Sequence, residues 1–172
     1  MPTLIKLING HASIANDAFI DVADEDAVPT DGAVILSFAR FLADPAAILA
    51  GGRAVGVRVG AGEAVEELEP YLDRLALVAL VFPKYRDGRA FSSSMVLRER
   101  YGFKGEIRAV GDVLRELAHF MVRCGIDAYM AADGSTPEAW EKAAFRFRHV
   151  YQAAADGVEP AFVLRLKAAE RA

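Results

Sequence analysis

Cysteine is almost missing from this chain: Cys124 stands alone among 172 residues. One thiol forms no internal disulfide, which fits a reducing compartment, and beside Arg123 and Gly125 near a helix end it reads as packed core. Histidine is scarce, and His11, His119 and His149 show no ligand spacing, so no metal site is arguable. No apolar run approaches the roughly 20 residues that cross a bilayer. The start MPTLIKLINGHAS lacks the basic, apolar and cleavage regions of an export signal, so a cytoplasmic protein without membrane contact is expected. Positive charge is in deficit, and a net charge of −4 argues against a general nucleic-acid binder. There is no G-x-S-x-G, P-loop or C-x-x-C, no flavin or nicotinamide fingerprint and no set of cluster cysteines. No cofactor is identifiable.

The chain does hold enough apolar residues, 53% of the total, for one domain with a real core. Residues 4–8 and 18–22 are short apolar runs separated by Asn9-Gly10 and Asn16-Asp17, the pattern of a small hairpin. The acidic stretch Ala23–Gly32, with Pro29 and Asp31-Gly32, reads as a connecting loop. Residues 1–32 are therefore expected as hairpin and connector, 33–158 as the main domain and 159–172 as a tail, either helical or loose.

From Ala33 apolar runs centred near Ile35, Val57, Ala79, Arg108 and Tyr129 alternate with helix-like segments. Asp44-Pro45 caps one of these, and Glu63–Leu72 is the next. Ser92–Tyr101 stops at Gly102, and Asp112 opens a segment closed by Gly125. The last opens at Ser135-Thr136-Pro137-Glu138 and carries Trp140, Phe147, Val150 and Tyr151 at helical spacing. About five βα units follow, which predicts an α/β fold with a parallel sheet. An open doubly wound sheet and a partial (βα) barrel both fit.

In either arrangement ligands bind in the βα loops at the carboxyl ends of the strands. Gly60-Ala61-Gly62 starts like a dinucleotide turn, but Val65 replaces the third glycine, and a tight βα turn is the better reading. The third loop is the most charged. From Lys84 to Arg108 there are seven basic and three acidic residues, +4 in an acidic chain. Such a concentration suits an anion. Arg86, Arg89, Arg98 and Arg108 supply charge, and Ser92 and Ser93 stand near a helix start, where free N–H groups favour oxyanions. Lys84, Tyr85 and Asp87 are the candidates for proton transfer if the loop is catalytic. The plainer alternative is a solvated loop with Asp87 salt-bridged to an arginine.

The stretch Phe82-Pro83-Lys84-Tyr85-Arg86-Asp87-Gly88-Arg89, with Phe91-Ser92, Leu97-Arg98, Tyr101-Gly102, Gly105-Glu106, Arg108–Leu114 and Arg123-Cys124-Gly125, resembles the bacterial domain of unknown function 934 family. The likeness runs from about Ala33 to Tyr129. Members are usually encoded beside assimilatory sulfite reductase and are often labelled probable oxidoreductases in sulfite reduction. The resemblance implies a pathway in sulfur assimilation and no catalytic residue. The resulting expectation is an accessory protein of sulfite reduction, binding a small oxyanion or the reductase itself through the basic loop. A small (βα) enzyme acting on an anionic sulfur or phosphate-bearing substrate, and a structural or homo-oligomeric subunit, are the alternatives.

Overall fold

The computed structural model describes residues 2–170. It is a mixed α/β structure built on one eight-stranded, mostly parallel sheet curled into a half-barrel. The strands are β1 (Thr3–Ile8), β2 (His11–Ile14), β3 (Phe19–Asp21), β4 (Ala33–Ser37), β5 (Val55–Val59), β6 (Leu77–Phe82), β7 (Glu106–Gly111) and β8 (Ala128–Ala131). Their order is β2-β1-β8-β7-β6-β5-β4-β3. From β3 to β8 each strand lies parallel beside its predecessor, without the reversal that a doubly wound sheet requires. Repeated right-handed crossovers in one direction put all helices on one face, as in a barrel.

The hairpin exists but differs from the expected one. β1 turns at Asn9-Gly10 and pairs with His11–Ile14, not with residues 18–22. Asn9 and Gly10 both have positive φ, as this tight turn demands. β1 also pairs antiparallel with β8, so the hairpin is part of the main sheet. Phe19–Asp21 lies on the opposite edge, parallel to β4. The apolar run at residues 4–8 identified a strand, but its partner depended on distant chain.

This connectivity explains the curl. Eight flat strands would separate the edges by about 34 Å. Yet five Cα steps, Ile14 to Phe19, join edge strand β2 to edge strand β3, a reach of at most about 18 Å. The sheet must bend its edges together, with Ala15–Ala18 strapped across the opening. One glycine makes room on the inner face. At Gly56 a Cβ would lie 2.9 Å from the Leu77 side chain and 3.1 Å from that of Ile35.

The main core fills the helix-covered face, where Val57, Val59, Val78, Leu80, Phe82, Ile107 and Tyr129 are buried. Against them pack helices α1 (Phe38–Ala43), α2 (Pro45–Ala50), α3 (Arg89–Met95), α4 (Ala118–Arg123) and α5 (Pro137–Ala144). Several segments depart from the periodicity. Val65–Arg74 is a 3-10 helix containing Pro70, with Val65, Leu68 and Leu72 inward. After Asp112 the chain stays extended until a 3-10 turn at Arg115–Leu117. α5 ends at Ala144, leaving Phe147 and Tyr151 exposed. The tail forms helix α6, Ala161–Ala169.

Candidate functional site

At the carboxyl rim, the third and fourth βα loops are tied together by backbone geometry. Gly111 has φ +94°, and a Cβ there would meet the Phe82 carbonyl oxygen at 2.4 Å. Only glycine lets β7 end this close to β6. The Asp112 N–H then donates to the Phe82 carbonyl at 2.7 Å. The Asp112 carboxylate accepts from the Tyr85 N–H at 2.9 Å, which fixes the start of the basic loop. Asp112 was absent from the sequence-based site. Its signal was there, a Gly-Asp pair closing a strand.

Within that loop Asp87 and Arg89 are committed to each other. The carboxylate accepts from Arg89 Nε at 2.9 Å, NH2 at 2.6 Å and the backbone N–H at 3.2 Å. These hydrogen bonds hold the Asp87 carboxyl down at about 2, so it stays ionised and is no proton donor near neutrality. Arg89 NH1 also reaches the Ala61 carbonyl at 3.2 Å, joining the second loop to the third. Lys84, Tyr85 and Arg86 are exposed. The Arg86 guanidinium lies 5.3 Å from the Tyr85 ring centroid and its Nε donates to the Tyr85 hydroxyl at 2.7 Å. Lys84 has no side-chain partner among the described residues. A recess here, between Gly60, Ala61, Arg89 and Ser93, has a volume of about 10 Å³, room for one water.

The serine run is displaced from its expected place. Helix α3 begins at Arg89 with Gly88 as its cap, so Ser92–Ser94 sit within the helix rather than before it. Ser93 Oγ donates to the Arg89 carbonyl one turn back, at 3.4 Å. Ser94 is fully buried and donates to the Cys124 carbonyl at 2.7 Å. Ser92 is exposed. The helix starts before the serines because the Asp87 carboxylate accepts from the Arg89 N–H at 3.2 Å and the Gly88 carbonyl from the Phe91 N–H at 3.1 Å.

Arg98 and Arg108 do not join the rim. Arg98 lies in the middle of a π-helical turn, Val96–Arg100, near the opposite rim. Its Nε donates to the Gly125 carbonyl at 2.9 Å and NH1 to the Gly105 carbonyl at 2.9 Å, while NH2 pairs with Asp127. It clamps the start of β7 to the start of β8. With Lys6, Lys104 and Asp127 it borders an open groove of about 510 Å³. Arg108 points to the inner face, in a row that runs Ser37, Arg58, Ala79, Arg108, Ala128, Lys6 across paired strands. It is 2% exposed, bonded to Glu106 at 2.7 Å and to Asp17 of the strap at 2.6 Å. Lys6 reaches the same Glu106 at 2.6 Å, and Arg58 pairs with Asp21. The inner face therefore balances its own charges.

Elsewhere, burial pushes the Cys124 thiol up, against the pull of Arg123, so the thiol stays protonated. Among the described residues no group of three or more His, Cys, Asp or Glu could hold a metal ion, and no helix is long and apolar enough to cross a membrane. A comparison with curated proteins finds no match. A family described as "Bacterial protein of unknown function (DUF934)" matches residues 56–162, from β5 through both rim loops to the beginning of α6. That span covers more than half of the chain and contains the whole basic segment: the protein belongs to the bacterial DUF934 family.

Proposed function

We propose that this protein is an accessory of assimilatory sulfite reduction that engages the reductase through its basic rim loop. The observation that carries the reading is the contrast at that rim. Lys84, Tyr85 and Arg86 stand out in solvent, while the adjoining recess is too small for an oxyanion larger than water. Exposed cations without a concavity recognise a surface rather than enclose a small molecule. An Arg stacked on a Tyr, as Arg86 is, belongs to the residue types that anchor protein interfaces. The pathway comes from the family resemblance, and the anionic character of the partner from the loop's charge.

The test is co-purification with the sulfite reductase of the same cell at low and moderate salt. The wild-type chain should retain the reductase, and Lys84→Glu with Arg86→Glu should release it while the protein remains folded. Retention by the charge-reversed variant would refute this reading. Titration calorimetry against sulfite, sulfate and adenosine phosphosulfate separates the small-ligand version. Heat that disappears in Arg86→Ala would favour an oxyanion over the reductase.

A further inference from the structure

Helix α4 carries His119, Val122 and Arg123 three and four residues apart, so these side chains share one face. α5 ends against it, and the Ala144 carbonyl, at the last residue of that helix, accepts from His119 Nδ1 at 2.8 Å. This bond sets the ring: Nδ1 holds a proton, and in the neutral ring Nε2 carries the lone pair. His119 is only 9% exposed, yet Nε2 has no hydrogen-bond partner among the described residues. No fully buried side-chain nitrogen or oxygen is left unpartnered among them, so Nε2 must open onto free space.

That space is a cavity of about 640 Å³ between α4, the end of α5, the β1–β2 turn and the segment 147–158, with His119 in its wall. A second recess, about 460 Å³, shares His119, Arg123, Phe147 and Val150 with it. Sites for small molecules span about 300–1,000 Å³ and are apolar with a few polar groups. Leu7, Val122, Phe145, Val150 and Val158 supply the apolar wall. Phe147 meets the His119 ring edge to face, 5.0 Å between centroids, and stays 56% exposed, an aromatic surface for another ring to cover. The outer wall is pinned: Arg123 NH1 donates to Asp156 at 3.0 Å and NH2 to the Gln152 carbonyl. Those two charges cancel. Arg148, also on the cavity, forms no ion pair among the described residues and leaves the site cationic.

We propose that this cavity binds a small aromatic anion bearing a hydroxyl or N–H group. The ring system covers the apolar wall, the donor meets His119 Nε2 and the anionic group turns to Arg148. The cavity shares no residue with the basic rim loop, so it stands or falls independently of the proposed function.

Anilinonaphthalene sulfonate combines all three features, and phenylnaphthylamine is its counterpart without the sulfonate. Fluorescence titration of the full chain should show a saturable site that holds the sulfonate about tenfold more tightly, the order of one charge-assisted contact. Arg148→Glu, at an exposed position, should erase that preference and leave the neutral probe unchanged. Val122→Trp should weaken both probes by filling the cavity, and His119→Phe both by removing the acceptor. If either core variant unfolds, the charge comparison at Arg148 still decides. Phe162→Glu with Leu166→Glu, on helix α6 outside the cavity, should change neither affinity. Three results overturn the proposal: equal affinity of the wild type for both probes, a folded Val122→Trp that binds as before, or loss of binding in the α6 variant, which would place the probe on the exposed apolar residues there.

Discussion

Arg108 and Arg86 lie 22 residues apart in one basic segment, yet the fold uses them in opposite ways. Arg108 is sealed against the inner face by Glu106 and Asp17, with the Phe19 ring 5.7 Å from its guanidinium. Arg86 stands in solvent with a tyrosine as its only hydrogen-bond partner among the described residues. Arg98 resembles the first, since carbonyls and Asp127 occupy its guanidinium. A surplus of +4 along the chain is thus not a surplus of +4 at one place. Charges that the fold needs internally meet carboxylates, and only those left at the rim can act on a partner.

The contrast can be broken most sharply at Arg108. Arg108→Met leaves Asp17 without its partner and strips the strap of its latch. It should cost about 3 kcal/mol in urea unfolding, as expected when one member of a buried pair is removed. Restoration by adding Asp17→Asn would locate the cost in the abandoned carboxylate, and a loss below about 1 kcal/mol would show the latch to be dispensable. Arg98→Lys keeps the charge but loses the fork that spans three carbonyls, of Phe103, Gly105 and Gly125, and a carboxylate. A loss of about 2 kcal/mol is expected, with the protein still folded at room temperature. Arg86→Ala should change stability by less than about 0.5 kcal/mol and still abolish reductase retention. A stability loss as large as that of Arg98→Lys would erase the distinction drawn here.

The smallest effect belongs to Asp87. Its folded pKa lies below the ordinary 3.8, at about 2, because Arg89 bonds the ionised form. The sign follows directly: its contribution is complete above about pH 4 and fades as pH falls toward 2. Carboxyl NMR should place its midpoint near 2 in the wild type and near the ordinary value in Arg89→Ala. A midpoint unmoved by that substitution would mean that something other than Arg89 holds the proton off.

Particular residues show how far the chain could be read without its fold. Gly111-Asp112 and Gly102 punctuate the chain as the sequence predicts, because a positive φ favours glycine wherever it occurs. Asp44-Pro45 likewise starts α2, with Asp44 Oδ1 accepting from the Ala47 N–H at 3.0 Å. Phe147 shows the limit: helical spacing put it in one stripe with the buried Trp140, yet α5 ends at Ala144 and Phe147 is half exposed. Ser94 shows the reverse, a polar residue fully buried because the Cys124 carbonyl is there to receive its hydroxyl. The basic loop was legible as a candidate site, and the commitment of Arg89 to Asp87 was foreseeable from their spacing. That Arg98 and Arg108 belong elsewhere was not.

What sequence alone determined were the strands β4 to β8, the alternation of strand and helix between them and several turn positions, since apolar period, proline and glycine act over a few residues. Tertiary structure alone decided that β1 joins β8, that a four-residue strap curls the sheet, and which arginines stay free. Charge compensation joins groups 91 residues apart, Asp17 and Arg108, and strand pairing joins residues 128 apart, Thr3 and Ala131. No local pattern records such a separation. It emerges only when burial forces each buried charge to find the partner that folding brings within reach.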